Sequence, residues 1–266
     1  MPYLKIRQGE VFYKYHPPAD NEDATPRKLP ITLLNGHTRT HKDFTLMVKF
    51  LNRKNYGVLT LDNRCSGTSQ GFKDFTLNDM AKDVTHLWEH LEIERSYLLG
   101  ISMGGMISQI VANNNPQIVE KLILVSTAPN TEWLQADEGW GHDLQQIQNK
   151  MHKYFSQKFV EKNHPLIDLM CKQILKQINQ DNFAENAEQQ RQAMKSFDEV
   201  AANIQTKTMI IHGEMDQIIP IEAAKELRRK IPNADINIVD GAGHLLLAEW
   251  GKQLYNSIED FFSNAK

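Results

Sequence analysis

The sequence predicts an α/β fold: a mostly parallel central sheet with helices on both faces and a helical insertion between two strands. Short apolar runs rich in β-branched residues alternate with segments whose apolar residues recur every three or four positions. Strands that alternate with helices usually become parallel neighbours in a sheet covered on both faces. The alternation stops between residues 131 and 197, where the pattern is helical throughout. That segment is therefore predicted to be inserted into the sheet domain.

Seven apolar runs are the predicted strands, and four amphipathic segments outside the insertion are the predicted helices. The strands cover residues 4–15, 31–34, 56–61, 97–99, 122–125, 208–211 and 235–239. The helices cover residues 76–91, 103–114, 221–230 and 251–262. Residues 21–30 are polar and end in proline, which predicts a surface loop.

Composition excludes several classes of function. The 266 residues include 30 basic and 33 acidic ones, and the net charge of -3 leaves no polycationic surface for nucleic acid. No apolar run is long enough to span a bilayer, and the N-terminus lacks a signal-peptide pattern. Cys65 and Cys171 lack metal-ligand spacing and are expected to be free thiols. We therefore expect a cytoplasmic monomer or homodimer that binds neither nucleic acid nor membrane.

Three glycines surround one serine in the stretch GISMGG, residues 100–105. Ser102 lies between the end of a predicted strand and a helix that begins near Met103. Gly100 and Gly104 remove side chains that would collide across so sharp a turn. A serine held there, at the positive end of a helix, becomes a nucleophile if a base is near. A phosphate-binding loop is disfavoured, because neither G-x-G-x-x-G nor a following Gly-Lys-Ser/Thr occurs.

Two further polar residues follow strands whose carboxyl ends are expected to meet at one edge of the sheet. Asp216 follows the strand 208–211 in IIHGEMDQIIP, and His244 follows the strand 235–239 in VDGAGHLLLAEW. At this edge an imidazole could take the Ser102 proton while a carboxylate fixes the tautomer of the ring. The chain thus carries serine, acid and histidine in that order.

The stretch LLNGHTRTHKDF, which follows the strand 31–34, supplies another element of this edge. Its glycine permits a turn that can aim the His37 N–H at the same place as the Met103 N–H. Two such donors would stabilise the oxyanion that develops during acyl transfer.

With these motifs the chain resembles the α/β-hydrolase fold enzymes with a helical cap, over nearly its whole length. The matching stretches follow the family's order: LDNRCSGTS, which is similar to the D-x-R-G-x-G-x-S turn, then GISMGG, GEMDQIIP and GAGHLLLAE. The resemblance implies Ser102 as nucleophile, Asp216 as acid and His244 as base. It also implies that His37 and Met103 supply the oxyanion donors.

The chain departs from the family's pattern at two places. The family usually has His-Gly where this chain has Asn35-Gly36, which alters the surroundings of the oxyanion donors. Cys65 and Ser66 replace the usual glycine and histidine of the D-x-R turn. The second departure concerns the conformation of that turn and leaves the three implied catalytic residues in place.

Residues 130–196 are predicted to form a helical cap, and residues 1–129 and 197–266 the α/β-hydrolase core. Long insertions in compact α/β domains are usually functional, for example as lids. Trp133 and Trp140 of the insertion are candidate substrate-binding residues. Packing of the insertion against the core explains both tryptophans equally well.

A zinc site is the main rival interpretation of a motif. The stretch HLWEH, residues 86–90, matches the H-x-x-E-H pattern of some zinc peptidases. No third ligand is evident, and this helix leads into the strand before Ser102, so an outer-layer helix is the preferred interpretation. We expect no metal and no cofactor.

Together these features predict a serine hydrolase of small or medium carboxylic esters or lactones, working through an acyl-enzyme with a Ser-His-Asp triad. The expected partner is a small-molecule acyl substrate. A carbon–carbon bond hydrolase and a cofactor-free perhydrolase are alternatives on the same triad. A ligand receptor that kept the pocket and lost turnover is an alternative from another class.

Overall fold

A computed structural model describes residues 2–19, 28–134, 139–141, 143–179 and 182–264, which contain an eight-stranded sheet. The strands are β1 (Tyr3–Ile6), β2 (Gly9–His16), β3 (Ile31–Leu34), β4 (Val58–Leu61), β5 (Ser96–Ile101), β6 (Val119–Val125), β7 (Thr208–Gly213) and β8 (Ala234–Val239). Their spatial order is β1-β2-β4-β3-β5-β6-β7-β8. Strands β3 to β8 run parallel, while the β1–β2 hairpin adds antiparallel pairs at one edge.

The α-helices of the described residues lie between these strands or after the last of them. They are α1 (Thr45–Arg53), α2 (Leu77–His90), α3 (Met103–Asn114), α4 (Leu144–Tyr154), α5 (Gln157–Lys162), α6 (His164–Ile178), α7 (Phe183–Lys195), α8 (Ile221–Lys230), α9 (Leu246–Glu249) and α10 (Gly251–Ser263). Helices α4 to α7 lie between β6 and β7 in the chain, α9 and α10 follow β8, and each of the others lies between two consecutive strands.

The two faces of the sheet are covered by different helices, because successive side chains of a strand point to opposite faces. On β6, Leu122 and Leu124 join an apolar cluster with residues of α2, α3 and α8. Ile123 and Val125 join a second cluster with residues of α1 and α10. The predicted fold class, a mostly parallel sheet with helices on both faces, is confirmed.

One predicted strand is wrong in its bounds. The run 4–15 forms two strands, β1 and β2, which pair in antiparallel register with Ile6 opposite Gly9. Arg7 and Gln8 make the two-residue turn between them. This turn lacks the Asn-Gly or Asp-Gly sequence that marks such hairpins, so the strongest sequence signal for a break between the two strands is missing. The loop predicted over residues 21–30 lies mostly outside the described residues.

Three of the helices between β6 and β7, α4 to α6, build a small apolar cluster of their own. Ile147 and Met151 of α4 pack there with Phe155, Val160 of α5 and three residues of α6: Ile167, Cys171 and Ile174. The helices between β6 and β7 also contact loops that leave the C-terminal edge of the sheet, at Thr38 and at His244. The division of the chain into a core and a cap at residues 130 and 196 stays a prediction.

Candidate active site

Ser102 lies on a strained turn between β5 and α3. Its backbone angles are φ 54° and ψ −119°, in a region that side-chain-bearing residues rarely occupy. A Cβ atom at Gly100 would lie 2.2 Å from the Gly104 carbonyl oxygen, and one at Gly104 would lie 2.2 Å from the Leu34 oxygen. Only glycine fits at either position, which explains why both flank the serine. The turn lifts a half-buried Ser102 out of the end of the strand.

The first turn of α3 and the loop after β3 meet at Ser102. Ser102 is the N-cap of α3, so the N–H of Met103 belongs to the first helical turn and has no acceptor within the helix. A Cβ atom at Gly36 would lie 3.3 Å from Ser102 Cβ and 3.8 Å from Ser102 Oγ. The loop that carries His37 therefore passes directly beside the serine. The structure thus brings together Ser102 and the two residues implied as oxyanion donors.

Asp216 and His244 meet at the same edge of the sheet, after β7 and β8. His244 Nδ1 lies 2.8 Å from Asp216 Oδ2, and both residues are buried. The other carboxylate oxygen of Asp216 accepts the N–H groups of Ile218 and Ile219 at 2.8 and 2.9 Å. Burial by itself would raise the pKa of Asp216, but His244, His212 and these hydrogen bonds outweigh it and lower the pKa. Asp216 is therefore an ionised carboxylate that orients the His244 ring.

Asp216 has a second histidine neighbour that sequence reasoning missed. His212 Nε2 lies 2.8 Å from the Ile219 carbonyl oxygen and 3.3 Å from Asp216 Oδ2. The ring is fully buried, and this burial lowers the pKa of His212 despite the nearby carboxylate. A neutral ring that donates from Nε2 to Ile219 fits this geometry. The spacing H-G-E-M-D, with histidine at the end of a strand, was the available signal.

The His244 loop is held from two sides. On the sheet side, a Cβ atom at Gly213 would lie 2.1 Å from the Gly243 oxygen, so β7 and this loop touch backbone to backbone. On the other side, the Tyr154 carbonyl at the end of α4 accepts the His244 N–H at 2.9 Å. The ring of Tyr154 also meets the His244 ring edge-on, with centroids 5.5 Å apart. Glu249 Oε1 accepts the Gly243 N–H at 2.9 Å.

Asn35, the first departure from the family's pattern, braces the loop that carries His37. Its Oδ1 accepts the Gly36 N–H at 2.8 Å, and its Nδ2 donates to the Thr40 oxygen at 2.8 Å and to Asp43 Oδ2 at 2.9 Å. The side chain is buried with its hydrogen-bonding groups in use. Asparagine here fixes both ends of a tight loop.

The second departure leaves the D-x-R turn in the conformation that glycine favours. Cys65 has φ 64°, in the left-handed region, and its Sγ donates to the Phe72 oxygen at 3.2 Å. Burial raises the pKa of this thiol to about 11, so it is protonated at neutral pH. Ser66 Oγ accepts a hydrogen bond from Gln190 Nε2 at 2.7 Å. Cys65 and Cys171 are both free and buried, as expected for ordinary thiols.

The two tryptophans of the insertion lie in different surroundings. Trp133 is half-buried and packs against the main apolar cluster of the sheet domain. Trp140 stacks on Tyr154 with ring centroids 5.4 Å apart, and Lys150 Nζ lies 5.0 Å from the Trp140 ring centroid. Trp140 therefore lies one ring away from His244. Substrate contact by either tryptophan stays a prediction.

The rival zinc motif lies on α2, away from the residues just described. His90 Nε2 pairs with the Tyr13 hydroxyl at 3.1 Å. In the part of the chain that the structure describes, no three His, Cys, Asp or Glu side chains group as metal ligands. Within the same residues, no helix combines the length and apolar character needed to cross a bilayer.

A sheet of this order, with a serine on a strained strand–helix turn and an acid–histidine pair at the same edge, defines an α/β hydrolase. The chain belongs to this superfamily: the family model described as serine aminopeptidase, S33, matches residues 25–250. The chain is therefore a hydrolase of the α/β-hydrolase type.

Known relatives cover most of the chain. It is 25% identical over 265 residues to an uncharacterized hydrolase, YugF, of Bacillus subtilis, covering 94% of this chain and 93% of that one. It is 28% identical over 235 residues to a putative esterase/lipase of Haemophilus influenzae, covering 79% and 75%. Among solved structures, the enol-lactonase of Burkholderia xenovorans LB400 superposes with a TM-score of 0.82 at 21% identity, covering 99% and 100%. At this identity, the superposition shows a shared fold.

Proposed function

We propose that the protein is a serine hydrolase that cleaves small or medium carboxylic esters or lactones through an acyl-enzyme. One observation carries the proposal. The 2.8 Å contact of His244 Nδ1 with Asp216 Oδ2 lies at the sheet edge where Ser102 is held at φ 54°. An oriented imidazole and a nucleophile at a helix N-terminus are the two requirements of acyl transfer by serine.

The proposed reaction has two steps. Ser102 Oγ attacks the acyl carbon while His244 Nε2 takes the hydroxyl proton and Asp216 stabilises the resulting imidazolium. The Met103 and His37 N–H groups bind the oxyanion of the tetrahedral intermediate. The imidazolium then protonates the leaving alcohol oxygen, which breaks the ester bond and leaves Ser102 acylated. Water, activated by the same imidazole, releases the acid and restores the free serine.

The inserted residues 130–196 are proposed as the cap over this site. Two sets of contacts support the proposal: α4 holds the His244 loop through Tyr154, and α7 contacts the loop after β3 through Ala187 and Gln190. A cap in this position would exclude water and select substrates by their acyl chain.

Small acyl compounds are the proposed substrates because a serine nucleophile with an acid–histidine pair suits attack on an acyl carbon. The Haemophilus influenzae relative bears the name of an esterase/lipase, and the superposed Burkholderia xenovorans protein is an enol-lactonase. Esters and lactones both present an acyl–oxygen bond to the nucleophile, so one site can serve either. We propose that the reaction requires no added metal or nucleotide.

The nucleophile is tested with a fluorophosphonate probe, which reacts with serines activated by a neighbouring base. We expect labelling of the native protein and none of Ser102→Ala, with both proteins equally folded by circular dichroism. Ser126→Ala is the control, because Ser126 also lies at a strand end with positive φ (46°) but is fully buried and lacks the flanking glycines. Labelling that persists in Ser102→Ala would refute the assignment.

A second measurement separates the enzyme from a receptor that has lost turnover. With an activated p-nitrophenyl ester in excess, an acyl-enzyme mechanism gives a burst of nitrophenol of about one equivalent per site, followed by steady turnover. A receptor gives neither phase. A panel of acyl chain lengths and lactone rings then identifies the preferred substrate.

A further inference from the structure

Gln190 of α7 is a fully buried amide whose three side-chain hydrogen bonds cross from the insertion to the sheet domain. Its Oε1 accepts the Thr38 N–H at 2.7 Å. Its Nε2 donates to the Arg64 carbonyl oxygen at 2.7 Å and to Ser66 Oγ at 2.7 Å. The side chain is 0% exposed, so these bonds form without competition from solvent. Gln190 thus joins the loop after β3 to the turn after β4.

The loop after β3 needs such support, because Thr38 is strained. Its φ is 60°, and a β-branched residue in the left-handed region is a genuine outlier. Strain of this kind persists only where surrounding contacts hold it. One helical turn before Gln190, the Ala187 carbonyl lies 2.8 Å from His37 Nε2. Consecutive turns of α7 therefore contact two consecutive residues of the loop.

These contacts surround the peptide that carries the proposed oxyanion donor. The Gly36 N–H on one side is accepted by Asn35 Oδ1 at 2.8 Å, and the Thr38 N–H on the other side by Gln190 Oε1. With both neighbouring N–H groups bound to buried amides, the direction of the His37 N–H is fixed before substrate arrives. An oxyanion donor acts mainly through such preorganisation, since it loses nothing to reorientation as charge develops.

We propose that Gln190 is a positioning residue: it holds the His37 N–H in the oxyanion site from the helical insertion, through the strained Thr38. The inference rests on the proposed serine hydrolase function. Gln190 touches no reacting atom. Its loss should therefore reduce the enzyme's stabilisation of the transition state without altering its affinity for the substrate. Such a change lowers kcat and leaves KM in place.

The test uses three variants of the full chain. Gln190→Met removes all three hydrogen bonds at similar length, and Gln190→Asn keeps a buried amide that is one methylene too short to bridge Thr38 and Arg64. Gln189→Met is the control, since Gln189 lies beside it on α7 and binds the Asp74 N–H at 3.2 Å in an exposed position. Rates are normalised to the sites labelled by fluorophosphonate at completion, so unfolded protein does not count.

We expect Gln190→Met to lower kcat about 10- to 100-fold with KM within about twofold, because removing an oxyanion donor outright costs about 10²- to 10³-fold. Gln190→Asn should show a smaller loss of the same kind, which serves if Gln190→Met fails to fold. Gln189→Met should match the native protein. A trifluoromethyl ketone that forms a hemiketal with Ser102 should lose affinity in proportion to kcat/KM.

A kcat within about twofold of the native value in both Gln190 variants would overturn the proposal. A lower labelled fraction with unchanged kcat per labelled site would also overturn it, because Gln190 would then only stabilise the fold. Absence of labelling and turnover in the native protein would instead refute the proposed function itself. The native protein thus tests the function, and the Gln190 variants test the positioning role.

Discussion

At the scale of single residues, Asp216 is the most heavily engaged group of the candidate site. It accepts two backbone N–H groups through one oxygen and faces two imidazoles through the other. The lowered pKa of Asp216 follows from these partners, which outweigh the effect of burial. The same partners hold the carboxylate in one orientation against the His244 ring.

Asp216→Asn tests whether the negative charge of this carboxylate is used in the reaction. The amide keeps the size of the side chain but loses the charge that stabilises the imidazolium and selects the Nδ1–H tautomer. We expect kcat to fall on the order of 10⁴-fold, by analogy with other triads. The measurement is steady-state ester hydrolysis with active sites counted by probe. Turnover near the native value would mean that the acid of the triad lies elsewhere.

His212 is expected to make the fold sensitive to mild acid. Because burial lowers its pKa, the unfolded chain binds a proton on this ring at a higher pH than the folded chain does. Stability contributed in this way is present above the unfolded value of about 6.5 and is lost as the pH falls towards the folded pKa. We expect the free energy of unfolding to fall by up to about 1.4 kcal/mol per pH unit in that window.

His212→Gln is the variant that tests this, since glutamine can still donate to the Ile219 oxygen but does not titrate. Urea unfolding at pH 7.5, 6.5 and 5.5 should give a flatter pH dependence for the variant than for the native protein. The same unfolding measurements on His16→Gln give the contribution of a half-buried histidine for comparison, because burial and Lys14 also lower the pKa of His16. An unchanged slope in His212→Gln would contradict the assignment.

At the scale of elements, Lys121 of β6 binds the C-terminal end of α10, the last helix in the chain. Its buried Nζ donates to the Phe261 oxygen at 2.9 Å and also approaches the Phe262 and Asn264 oxygens at the end of α10. A cation is favourable at a helix C-terminus, where carbonyl groups have no partner in the helix. The contact fastens the end of α10 to β6, an interior strand of the sheet.

Replacement of this lysine should weaken the fold. Lys121→Met keeps the aliphatic stem but leaves these carbonyl groups without their donor, so we expect a loss of about 1–3 kcal/mol in the free energy of unfolding. The exposed Lys225 on α8 gives the control, since Lys225→Met should change stability by less than about 0.5 kcal/mol. Equal effects of the two substitutions in urea unfolding would show that the contact adds nothing.

Local sequence signals predict most strands and helices, but they do not predict contacts between residues that are distant in the chain. The predictions for residues 31–34, 103–114 and 221–230 coincide with β3, α3 and α8, because turn residues or a clear change of period mark their ends. The turn that holds Ser102 was predictable for the same reason, from glycines two residues away. The bond from Gln190 to Thr38 joins residues 152 positions apart, and no periodicity indicates such a pair.

At the scale of the whole molecule, the helices between β6 and β7 join the two loops of the candidate site. The His244 loop is held by the Tyr154 carbonyl, and the loop of His37 by Ala187 and Gln190. Substitutions in these helices should therefore affect catalysis as well as substrate choice.

Trp140→Ala and Trp133→Ala test whether the insertion selects substrates. Trp140 stacks on Tyr154 beside His244, so its removal should change relative rates across a p-nitrophenyl acyl series. Trp133 packs on the main apolar cluster, and its removal should act in the same way if the insertion is a lid. A single common factor for all chain lengths would mean that the tryptophans only stabilise the fold.

The position of the inserted helices in the chain also fixes an order of events during synthesis. Strand β6 leaves the ribosome well before its neighbour β7, so one apolar edge of the growing sheet waits for the whole insertion to be translated. Ser102 has been translated by then, whereas Asp216 and His244 come later in the chain. A nascent chain, or one cut short by a premature stop codon, would carry the proposed nucleophile without the proposed acid and base. Such fragments would be hydrolytically silent and, with an open sheet edge, prone to aggregate or to be degraded.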